Sequence, residues 1–70
     1  MDLHVSPYTD SGFTILVEGI TEVGIEFVEA YTGPILTVID RDRIVIPTES
    51  GPEFKKAAQA AGLTINLVRP

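Results

Sequence analysis

Val23-Gly-Ile-Glu-Phe-Val-Glu-Ala30 is the stretch on which the architecture turns. As a helix it would gather Val23, Phe27 and Ala30 on one face, with Glu18, Glu22, Glu26 and Glu29 running up one side. As a strand it would set Val23, Ile25 and Phe27 against Glu26 and Val28. Gly24 costs about 1 kcal/mol relative to Ala inside a helix, and the branched Val23, Ile25 and Val28 lose rotamer freedom there. The stretch is read as a strand.

Around it, four further segments are rich in branched residues and bounded by Gly, Pro or Asp: 13–18 after the turn signal Asp10-Ser-Gly12, then 35–39, 43–46 and 63–68. Residues 1–11, with the short run Leu3–Val5, are expected to be a mobile arm or an edge strand. One helix is expected over residues 51–61. Ser50-Gly-Pro-Glu53 has the spacing of a capping box, Pro52 falls in the first turn, and Gly62 is placed to end the helix. Phe54, Ala57, Ala58 and Ala61 make one apolar face, with Lys55, Lys56 and Gln59 opposite. The expected fold class is therefore α+β: one domain over residues 1–70, with an antiparallel sheet of about five strands in the order β-β-β-β-α-β. A small closed barrel with an inserted helix is the alternative.

Seventy residues lie near the lower limit for folding without disulfide or metal, and the chain has no Cys and one His. A disulfide framework and the usual zinc ligand sets are excluded. Stability must come from apolar burial. The opening Met-Asp-Leu-His-Val-Ser-Pro7 has neither a basic flank nor a long apolar run, so it does not read as a secretory leader. No segment approaches the length of a membrane span. A cytoplasmic location is expected.

Charge is divided along the chain. Residues 1–40 carry seven acids and no Lys or Arg, whereas residues 41–70 carry five bases and three acids, so the net −5 is −7 followed by +2. Such an acidic balance argues against direct nucleic-acid or membrane binding and for a protein partner with a basic surface. Glu18, Glu22, Glu26 and Glu29, with Tyr31 as a contact anchor, form the candidate partner site. The plainer reading of these acids is a solvated, solubilising edge. Tyr8, at the other end of the acidic region, is a second possible anchor or packs internally.

One helix covers one face of a sheet. Alternation assigns Phe13, Ile15, Val17, Val23, Ile25, Phe27, Ile44, Ile46, Leu63, Ile65 and Leu67 to the covered face. Leu16, Val28, Val45 and Val68 are left on the other, and the run 35–39 is apolar on both sides. A self-association face built on Leu16, Val28, Val38 and Val45 is expected.

Chemistry is sparse. Asp40-Arg-Asp42 has the spacing of paired carboxylate ligands, but Arg41 and Arg43 oppose a cation and a hairpin turn accounts for it better. The amides at Ser50-Gly51 could hold an anion, although the cap already uses that position. His4 has no orienting partner beside it in sequence, and Ser6, Ser11 and Ser50 lack a nucleophile context. No catalytic residue, cofactor or metal is assigned. The expected function is a non-catalytic protein that works by protein–protein interaction as a homodimer. The alternatives are a structural subunit whose oppositely charged halves meet head to tail, and an acidic decoy in a nucleic-acid-binding groove.

Overall fold

Residues 22–30 form a helix, the reverse of the strand expected from their composition, and the cause lies at its first turn. The computed structural model describes residues 1–9 and 12–67. Thr21 is extended and its Oγ1 accepts from the Gly24 amide at 3.2 Å, capping helix α1, Glu22–Ala30. The same hydroxyl donates to Asp2 Oδ1 at 2.8 Å. Asp2 Oδ2 in turn accepts from the Thr64 amide at 2.9 Å, and the Asp2 amide donates to the Thr64 carbonyl at 3.1 Å. Bonding to the Thr64 amide, then to Thr21, holds the Asp2 carboxyl below its ordinary value. Three distant parts of the chain are clasped at one point.

Gly24, which argued against a helix, is what lets this helix dock. A Cβ there would run into the Asp2 carbonyl. One at Gly19 would lie 2.6 Å from the Ile25 backbone. Both glycines serve close approach of helix to sheet.

The sheet has the order β3-β4-β2-β1-β5. Its strands are β1 Leu3–Pro7, β2 Thr14–Gly19, β3 Thr37–Asp40, β4 Arg43–Pro47 and β5 Ile65–Leu67. Neighbours are antiparallel except β1 and β5, which are parallel. Three expectations are corrected. The element order is β-β-α-β-β-α-β, the sheet is mixed, and it is open rather than closed into a barrel. Residues 3–7 are neither an arm nor an edge but an interior strand between β2 and β5. The turn signal at Asp10-Ser11 and the far end of the last strand at Val68 lie outside the described residues.

Helix α2, Gly51–Ala60, stands where the sequence placed it. Its C-terminus closes as expected: Gly62 has φ 82°, its amide donates to the Gln59 carbonyl, and the Leu63 amide donates to the Ala58 carbonyl, each at 3.0 Å. Its N-terminus differs. A 3-10 turn, Thr48–Ser50, precedes it, and Ser50 is already helical at φ −87°, ψ −6°. A cap needs an extended residue, so the Ser50 side chain makes no capping bond.

Both helices lie on one face. The crossovers β2-α1-β3 and β4-α2-β5 run in opposite strand directions and step to opposite sides, so a common hand places both helices together. Leu3, Val5, Val17, Ile44 and Ile46 of the sheet pack there against Val28, Phe54 and Ala58. The Phe54 ring meets Phe27 and Tyr31 edge-on, with centroids 5.4 and 5.1 Å away. Ala57 and Ala61, expected on the apolar face of α2, are exposed, as are Phe13, Val23 and Leu67.

Candidate functional site

With α1 docked through Gly19 and Gly24, its outer side faces the turn between β3 and β4. The Gly19 amide donates to the Asp42 carbonyl at 2.8 Å, tying that turn to the end of β2. Between helix and turn opens a recess of about 500 Å³ lined by Glu22, Ile25, Glu26, Asp40, Arg41 and Asp42. Its one cation is turned aside: Arg41 Nε and Nη2 both donate to Glu29 Oε1, at 3.0 and 2.8 Å. That hydrogen bond, with the Glu29 charge, raises the Arg41 pKa further. Arg43 reaches Asp40 and Asp42 only at 3.6 and 3.9 Å. Five carboxylates, counting Glu29, meet two guanidiniums, which leaves the neighbourhood strongly acidic.

The carboxylates are spread rather than convergent. Among the described residues no group of three or more His, Cys, Asp or Glu is placed to hold a metal ion. Asp40 and Asp42 flank a turn, the role preferred for them from sequence. A surface of this kind suits several separated positive charges, as a basic protein segment would offer, better than one ion.

The sequence-derived partner residues separate into three places. Glu22 and Glu26 enter the recess, and Glu29 holds Arg41 beside it. Glu18 projects from the opposite side of the sheet, 3.5 Å from His4 Nδ1. Tyr31 packs against Phe54 as a partly buried ring at the margin of the core, its phenol pKa raised by burial, then by Glu53. Asp40 and Asp42, for which the sequence favours a turn over a paired-carboxylate site, complete the recess. The signal available for them was the helical alternative for 22–30, which sets Glu22, Glu26 and Glu29 along one side.

The four self-association residues do not form one patch. Val28 is 2% exposed inside the helix–sheet core. Val38 is paired with Ile44 and so sits on the helix side of the edge strand, 65% exposed. Leu16 and Val45 are direct cross-strand partners on the uncovered face, and Val45 is only 2% exposed. Ser6, Thr14, Thr37 and Pro47 lie beside them on that face.

A second recess of about 490 Å³ lies between α2 and strands β1 and β5, lined mainly by Val5, Pro7, Ile15, Phe54, Ile65 and Leu67. His4 lines neither recess. Ser6 borders the apolar one, Ser50 is buried, and Ser11 lies outside the described residues. Among the described residues no helix is long and apolar enough to cross a membrane. Comparison with protein-family models, curated proteins and solved structures finds no match to this chain.

Proposed function

We propose that this chain is a non-catalytic interaction protein that binds a basic surface of another protein through the acidic recess between α1 and the β3–β4 turn. One observation carries the reading: Glu22 and Glu26 from the helix meet Asp40 and Asp42 from the turn around a single opening, while Arg41 is occupied by Glu29. Carboxylates from two separate segments focus the field there, which steers a cationic partner and speeds its encounter. The partner's Lys and Arg would also find an apolar floor in Ile25 for their methylene stems.

The test is affinity capture with the wild type and with the Glu22→Lys/Glu26→Lys variant, followed by association kinetics on each identified partner. The wild type should retain basic proteins that elute with salt, and the variant should associate about tenfold more slowly or worse. Identical partners bound at an identical rate by the variant would defeat the proposal.

A further inference from the structure

The uncovered face of the sheet carries a charge pattern that complements itself. Directly paired residues share a face, so the strand register defines rows across it. One row runs Asn66, His4, Glu18, Arg43 from β5 to β4, and beyond it a register shift in β3 between Val38 and Asp40 brings Asp40 opposite Arg43. From His4 onward it alternates between groups that carry or accept positive charge and carboxylates. The next row is Ser6, Leu16, Val45, Thr37, and a third contains Thr14 and Pro47. Contacts within the charged row are long: His4 Nδ1 to Glu18 Oε1 is 3.5 Å and Arg43 Nη2 to Asp40 Oδ2 is 3.6 Å. A charge-assisted hydrogen bond spans about 2.7–2.9 Å, so these groups retain bonding capacity toward a partner.

We infer that this face binds a second copy of the chain, face to face, about a two-fold axis that runs along the strands between β2 and β4. Such an axis keeps every row in place and reverses its order. Glu18 then meets Arg43 of the second copy, Asp40 meets His4, Leu16 meets Val45, and Ser6 meets Thr37. Other placements serve the charges less well: an axis between β1 and β2 leaves Arg43 against the neutral Asn66, and one between β4 and β3 leaves Glu18 unmet. An axis on β2 sets Glu18 against itself, and one on β4 sets Arg43 against itself. An axis across the strands turns the charged row onto the row of Thr14 and Pro47, where nothing answers it. Only the axis between β2 and β4 answers every charge of the row; Val45, 2% exposed, offers Leu16 little surface, so the charges decide the placement.

The area sets the strength. The four strands that overlap, about 4.8 Å apart, and three rows about 7 Å apart give a footprint on the order of 400 Å². A standard interface takes about 800 Å² from each partner. With Val45 already 2% exposed, apolar burial is small and the charged row supplies the selectivity. The dimer is therefore a weak, exchanging one.

Sedimentation equilibrium from about 10 μM to 1 mM at about 0.15 M salt, where charges beyond about 8 Å are screened, is the measurement. The wild type should rise toward twice the monomer mass. Glu18→Lys and Arg43→Glu should each raise the dimer dissociation constant about tenfold or more, because each homodimer then holds two like-charge contacts. An equimolar mixture of the two variants should dimerise again, since across the axis the mixed pair has opposite charges at both contacts. Glu18 and Arg43 are also neighbours within one chain, and mixing cannot repair damage confined to a chain. A wild type that stays monomeric, single variants that still dimerise, or a mixture no tighter than the singles would each overturn the inference. The two surfaces share Asp40, but Glu22 and Glu26 belong only to the recess, so a Glu22→Lys/Glu26→Lys chain should dimerise as the wild type does, and either reading can fail alone.

Discussion

The two helices reach the same fold by opposite routes. Helix α2 is written locally: Phe54 and Ala58 turn inward, Lys55, Lys56 and Gln59 turn outward, and Gly62 closes the end in the left-handed conformation. Helix α1 has three β-branched residues and a glycine in nine positions. Its propensity deficit is several tenths of a kcal/mol per branched residue and about 1 kcal/mol for the glycine. Long-range contacts offset it. Thr21 caps the helix while bound to Asp2, Gly24 sits against the Asp2 carbonyl, and Val28 is buried in the core. A short helix with poor local preference therefore forms where tertiary contacts outweigh propensity.

The same substitution in each helix should break the comparison most sharply. On propensity alone, Gly24→Ala would stabilise α1. The new methyl meets backbone at Asp2, so the expected outcome is a loss of about 2 kcal/mol. At Gly51 the backbone is already helical and a Cβ would meet only the Ile15 Cδ1 atom at 3.4 Å. Gly51→Ala should gain about 0.5 kcal/mol. Urea unfolding of both variants decides it, and a Gly24→Ala chain as stable as the wild type or more so would mean that α1 is not held by close approach.

The caps give a smaller contrast. Thr21→Ala removes both the Gly24 amide's acceptor and the bond to Asp2, and should cost about 1 kcal/mol. Ser50→Ala removes no capping bond and should stay within about 0.5 kcal/mol of the wild type. A Ser50 effect equal to that of Thr21 would restore the capping box expected from sequence.

Asp2→Asn should give a small loss at neutral pH, because the carboxylate is partly exposed, but its pH dependence is specific. The native carboxyl titrates below its ordinary value of 3.8. Its stabilising effect is fully present above that value and is lost as pH falls through the native pKa. The melting temperature of Asp2→Asn should therefore lie below that of the wild type at pH 7, with the gap closing in acid. A gap independent of pH would show that the charge of Asp2 does not hold the clasp.

Legibility followed the range of the interactions. The α+β class, α2 with its Gly62 end, the turn at Asp40–Asp42 and the strands around Val17 and Ile44 rest on composition and spacing within a few residues, and these were readable. Alternation also assigned Val17, Ile44 and Ile46 correctly to the buried side. The recess was half readable: Glu22 and Glu26 carried the acidic signal, while Asp40 and Asp42 joined them only once α1 became a helix docked beside the turn.

The amino-acid sequence alone determined the acidic first half, the absence of thiol chemistry, four of the five expected strand segments and the second helix, because each depends on residue type and local periodicity. Tertiary structure alone decided the identity of residues 22–30, the interior place of β1, the gathering of both helices on one face and the row of charges across the other. Those outcomes depend on Asp2 reaching Thr21 and Thr64, on two glycines admitting a helix, and on the strand register. Each is a contact between residues far apart in the chain, which local preference cannot encode.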